Sequence, residues 1–186
     1  MVSFDVAFVC TANRARSALA EALYRRYTLG FDTRAKSFGT IDVGGAPPLE
    51  HAVEAGRRLG VDVASHTAAA LSPTTLAEAD LVLGFEPHHV AAAVIDAAAD
   101  PARTFLLREF VELLDAAGAD GTVQYARAEV AAADERRPRP RGDSARFVIP
   151  DPAGRTSRVM LATASAIDEL VRRLVLGLFG RRAGDH

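Results

Sequence analysis

Val6-Ala-Phe-Val-Cys10-Thr-Ala-Asn-Arg-Ala-Arg16-Ser17-Ala-Leu-Ala-Glu-Ala-Leu-Tyr-Arg-Arg26 passes from a short apolar run, through small and polar residues, into a segment of helical periodicity. The order is strand, loop, helix. Outward from it the alternation repeats. Ala35 to Ser37 ends a second strand, Phe38-Gly39-Thr40 and Gly44-Gly45-Ala-Pro47-Pro48 supply turn chemistry, and a helix is predicted over about 49–59. Val61-Asp-Val63 begins a short extended piece. Asp80-Leu-Val-Leu-Gly-Phe85 has the pattern of a buried strand, and His88 to Ala99 that of a helix closed by Asp100-Pro101. Thr104 to Leu107 is a fourth strand. Val111 to Ala133 predicts one or two helices broken near Gly118 or Gly121, and Arg136 to Gly142 has the composition of an exposed linker. The last element runs from about Ser157 to Phe179, with Val159, Ala162, Ala166, Leu170 and Leu174 on one face. Strands alternating with helices predict an α/β fold, a parallel sheet covered on both faces.

At 186 residues the chain has the length of one domain, 1–186. It is 49% hydrophobic and 25% charged, with a formal net charge of −2, which argues against a nucleic-acid partner. The N-terminal residues carry no basic region or cleavage pattern, and Val171 to Phe179 is too short to span a bilayer, so a soluble cytoplasmic protein with no membrane partner is expected. Lys36 is the only lysine; the arginine and alanine excess reads as nucleotide bias. Cys10 is the only cysteine, which excludes an internal disulfide and leaves its reactivity as the open question.

Cys10 and Arg16 enclose five residues at a strand-to-helix junction. A loop of that length wraps a tetrahedral anion with successive backbone N–H groups, here those of Thr11, Ala12, Asn13, Arg14, Ala15, Arg16 and Ser17, aided by the positive end of the following helix. Phosphate fits such a loop without a metal or other cofactor. The same N–H groups, helix end and guanidinium favour a thiolate over a thiol. Arg16 can grip two equatorial oxygens, a fork that lysine lacks. Ser17 can give its hydroxyl to the sulfur. Taken alone, the pair also fits a buried strand-end cysteine and a surface arginine, because this spacing is common by chance.

With Cys10, Asn13, Arg16 and Ser17 in register, and Ile149-Pro-Asp151-Pro152 just before the last helix, the chain resembles the low-molecular-weight protein tyrosine phosphatases, whose fold is shared by thioredoxin-coupled arsenate reductases. Ser37-Phe-Gly-Thr40, Ser65-His66 and Ala79 to Glu86 resemble intermediate segments of that family. The resemblance covers nearly the whole chain except an insertion at about 114–147. It implies a three-layer α/β/α phosphatase-I-like fold with a four-stranded parallel sheet. By the same resemblance Cys10 attacks phosphorus, Arg16 binds phosphoryl oxygens, and Asp151 protonates the leaving group and later activates water. Asn13, Ser17, Ser37 and His66 support the loop. The implied partners are phosphorylated protein or small aryl phosphates, with phosphate, sulfate and vanadate as inhibitory oxyanions.

The sequence departs from the family pattern at Ala12, where glycine is usual, and at Ala15, a frequent second cysteine; no aromatic follows Asp151-Pro152 or stands in Ile41-Asp-Val43. The expected activity is phosphomonoester hydrolysis, with protein phosphotyrosine as substrate, through a cysteinyl-phosphate. Two alternatives stand beside it. One is an arsenate reductase, which with a single cysteine needs an external low-molecular-weight thiol. The other is a non-catalytic phospho-ligand binding module with the insertion as its working surface; the Arg136 to Arg146 run within it could contact acidic partners but reads more readily as a solvated segment.

Overall fold

The computed structural model of the protein describes residues 3–115, 118–138 and 144–180. Four strands form one fully parallel sheet: β1 (Phe4–Cys10), β2 (Thr33–Gly39), β3 (Leu81–Gly84) and β4 (Thr104–Leu106), in the order β2-β1-β3-β4. Six helices accompany them: α1 (Arg16–Tyr27), α2 (Glu50–Arg58), α3 (Pro87–Ala97), α4 (Leu107–Leu113), α5 (Val123–Arg136) and α6 (Ser157–Phe179). The chain leaves β1 toward β2 on one side and returns to β3 on the other. The carboxyl ends of β1 and β3 therefore meet at the switch point where open parallel sheets take their ligands.

Period-two alternation builds both layers. Phe4, Val6, Phe8 and Cys10 of β1 and Leu81 and Leu83 of β3 face a large core that also contains Leu23, Ile167, Leu174 and Leu178 of α1 and α6. Ala7, Val9 and Val82 point the other way, against Ala93 and Ala97 of α3. Small alanines there let α3 sit close to the sheet.

Several sequence expectations fail in informative ways. No strand forms at Val61-Asp-Val63; both valines are buried as irregular chain. A helix begins at Leu107, before the predicted Val111, because the capping carboxylate of Glu109 accepts the Leu106 N–H at 3.1 Å. In α6 the buried residues include Met160, Ala164, Ile167, Leu170, Val171, Leu174 and Leu178, while Val159 and Ala162 face solvent. Steps of four residues advance about 40° each around a 3.6-residue helix, so the predicted row is on the solvent side at Ala162 and reaches the core only at Leu170 and Leu174. Arg137 is no linker residue. It is 5% exposed, donates to the Thr104 carbonyl at 2.9 Å and lies 3.7 Å over the Phe105 ring. Part of the Arg136 to Gly142 run lies outside the described residues.

Among the described residues no helix is long and apolar enough to cross a membrane.

Candidate active site

β1 delivers Cys10 to the sheet edge and α1 starts six residues later, so the connecting turn must be tight. Asn13 takes the left-handed conformation, φ 54°, which asparagine tolerates better than most side chains; Ala12 stays out of that region and needs no glycine. Gly39 at the end of β2 is required by proximity, since a Cβ there would meet the Thr11 carbonyl oxygen at 2.9 Å. Ala15 carries no capping side chain, so the positive end of α1 is turned to the loop.

Asn13 is the hub of the loop. Its Oδ1 accepts from the Ala69 N–H at 2.9 Å, and this backbone donor fixes the amide orientation. Its Nδ2 then donates to Ser17 Oγ and Ser37 Oγ, both at 2.8 Å. His66 Nε2 lies 3.0 Å from the Asn13 carbonyl and 3.1 Å from its Oδ1. Ser37 passes its proton to Glu21, a buried carboxylate. Ser17 accepts from Asn13, and its Oγ stands 2.9 Å from Cys10 Sγ, placed to donate to the sulfur when that is a thiolate. The network therefore runs outward from Asn13, through Ser17, to the sulfur.

Arg16 lies on the opposite side. Only 1% exposed, its guanidinium is held by the Glu86 carboxylate and the Ile149 carbonyl (2.9 Å) at Nη1, and by Thr11 Oγ1 (3.3 Å) and Asp151 Oδ2 (2.9 Å) at Nη2. Two carboxylates around a buried cation offset the cost of taking its charge from water. Asp151 is itself 40% exposed at the mouth, and its Oδ1 accepts from the Ala153 N–H at 3.0 Å. The Ile149 N–H bonds the Phe85 carbonyl at 2.9 Å, tying the Asp151 segment to the end of β3.

The structure thus brings Cys10, Asn13, Arg16, Ser17, Ser37, His66 and Asp151 together, with Thr11 to Ser17 as the loop. Arg14 turns away, its Nε donating to the Pro47 carbonyl at 2.6 Å. Sequence reasoning missed three residues of the assembly: Glu21, Glu86 and His89. A Glu and a His directly after a buried strand were the available signal for the latter two. His89, fully buried, has its ionisation pushed down to about 3, first by burial and then by the positive charge of Arg16 and of His88.

Among the described residues, the one group of metal-ligating side chains within reach of a common ion is Glu86, His88 and His89. Glu86 is engaged by Arg16 and both ring nitrogens of His89 have partners, so a metal there would have to break the site's own contacts.

A family model described as low molecular weight phosphotyrosine protein phosphatase matches residues 5–123. No curated protein matches the chain. Among solved structures, a low molecular weight protein tyrosine phosphatase from T. tengcongensis is similar at 28% identity and TM-score 0.69, covering 93% of this chain and 98% of that one. The YwlE arginine phosphatase from Geobacillus stearothermophilus is similar at 25% identity and TM-score 0.67, over 92% and 90% of the two chains. Wzb from Vibrio vulnificus, solved with benzylphosphonate, is 19% identical at TM-score 0.67 over 92% and 96%, a likeness of fold alone.

Proposed function

The chain belongs to the low molecular weight phosphotyrosine protein phosphatase family, and from that premise we propose that it hydrolyses phosphomonoesters, protein phosphotyrosine foremost, through a cysteinyl-phosphate on Cys10. The observation that carries the reading is the convergence on one loop of a sulfur facing a hydroxyl donor and a buried arginine paired with Asp151.

In the proposed reaction Cys10 enters as the thiolate and forms an S–P bond as the ester P–O bond breaks. Arg16 and the loop N–H groups take up the charge that develops on the phosphoryl oxygens. In the proposed reaction Asp151 delivers a proton to the leaving oxygen; left as a carboxylate it then takes a proton from water, whose oxygen attacks phosphorus. The S–P bond breaks, inorganic phosphate leaves, and Ser17 donates to the departing sulfur.

A second substrate reading, protein phosphoarginine, is favoured by one observation. Ile41, half exposed at the end of the turn after β2, stands in a segment with no aromatic residue to stack on a tyrosine ring. Hydrolysis of matched phosphotyrosine and phosphoarginine peptides, against a Cys10→Ser background, separates the readings. Cys10-dependent release from the phosphotyrosine peptide at the higher kcat/KM supports the first. Preference for phosphoarginine supports the second, and release from neither overturns both.

A further inference from the structure

The mechanism above leaves His89 unused, although it is fully buried at the start of α3 and every polar atom of its ring is engaged. Its Nδ1 lies 3.1 Å from the Glu86 nitrogen and 3.3 Å from the Phe85 nitrogen. Backbone amides only donate, so Nδ1 is the acceptor and the ring proton sits on Nε2. Nε2 stands 3.0 Å from Thr11 Oγ1, to which it must donate. Thr11 Oγ1 also accepts from Arg16 Nη2. A continuous line therefore runs from the end of β3, through His89 and Thr11, to the guanidinium.

The packing around this ring is specific. A Cβ on Gly84 would stand 3.1 Å from the His89 Cβ, so β3 ends in the one residue that lets His89 approach this closely. The burial and neighbouring cation that depress its ionisation keep the ring neutral above pH 5, so the donor on Nε2 and the acceptor on Nδ1 persist across the working range. A protonated ring would lose the acceptor and turn its second N–H against two backbone donors.

Resting on the phosphatase reading of this site, we infer that His89 is a positioning residue, which through its Nε2–H bond to Thr11 sets the plane of the Arg16 guanidinium against the phosphoryl oxygens. Glu86 holds the other end of the same guanidinium, and the two residues sit at the start of α3, Glu86 as its N-cap and His89 in its first turn. Thr11 is the link: its hydroxyl accepts from both sides and transmits position, not charge.

His89→Asn is the informative substitution. Its side-chain oxygen can still accept the Phe85 and Glu86 amides, but it is too short to reach Thr11, so the helix start is retained and the relay is cut. Thr11→Val cuts the same relay from the other end, and Thr11→Ser, which retains the hydroxyl, recovers most of that loss. Each cut should lower kcat for an aryl phosphate about tenfold with little change in KM, and weaken orthovanadate binding by a similar factor, because a misaligned guanidinium stabilises the transition-state geometry less. The double variant should lose about tenfold as well, not the hundredfold of independent sites. Wild-type turnover in the same assay tests the phosphatase reading separately, and the vanadate titration reads the positioning even without turnover. Wild-type vanadate affinity in His89→Asn, or losses that multiply in the double variant, would overturn the inference.

Discussion

The two halves of the phosphate loop are held by different means. Around Asn13 the contacts are mostly neutral and closed: Ser17, Ser37, His66 and the Ala69 amide engage each polar atom of one amide side chain, beneath the surface. Around Arg16 they are ionic and open outward, with a buried cation between Glu86 and a half-exposed Asp151. In the proposed mechanism the first arrangement sets the shape of the loop and the second handles charge and protons. Substitutions in the first half should therefore cost stability and activity together, and substitution of the half-exposed Asp151 in the second should cost mainly activity.

Asp151→Asn tests the second half with the largest expected effect. Turnover of esters with poor leaving groups should fall about 10²- to 10³-fold, and of activated aryl esters much less, since only the former need the proton. Thermal unfolding should change little, because the Asp151 side chain is 40% exposed and Glu86 still pairs with Arg16. A uniform loss across leaving groups would remove Asp151 from the proton-transfer role. Asn13→Ala tests the first half. It leaves two serines and a backbone amide without their partner and forces alanine into the left-handed region, a combined cost of about 2–4 kcal/mol. Urea unfolding should show that loss alongside a fall in kcat. Loss of activity at wild-type stability would erase the distinction between the halves.

The smallest effect is in the pH dependence of stability. His89 is neutral in the fold down to about pH 3, whereas in the unfolded chain it takes a proton below about 6.5. The unfolded state binds more protons in that window, so the native state loses stability as pH falls, by at most about 1.4 kcal/mol per pH unit from this group. Urea midpoints at pH 7.5 and 5.0 should converge in His89→Asn relative to wild type. Parallel shifts in both proteins would mean that His89 titrates normally.

Much of this was legible in the sequence where the relevant residues are neighbours in the chain. Cys10, Asn13, Arg16 and Ser17 share one turn between a strand and a helix, and their spacing carries the geometry. Asp151 was legible only through resemblance to the family's Asp-Pro motif before the last helix, whereas the bounds of α6 followed from its periodicity. Its buried face did not, since a row of four-residue steps turns steadily around the helix and meets the core only at Leu170 and Leu174. Glu86 and His89 were hidden for a different reason. They reach Arg16 only because β3 pairs with β1 and not with β2, and strand order is a property of the whole sheet. Arg137 was misread because an arginine among prolines resembles a solvated run until the Phe105 ring is placed beneath it.

The central claim is that the sulfur of Cys10 carries the phosphoryl group between the ester and water. Acid quenching of the enzyme during turnover of an activated aryl phosphate, followed by peptide mass spectrometry, reads this directly. A phosphoryl group on the Cys10 peptide that accumulates and then disappears as substrate is exhausted is the predicted result. Steady turnover with that peptide unmodified, or a Cys10→Ser variant that hydrolyses the ester at the wild-type rate, would contradict it.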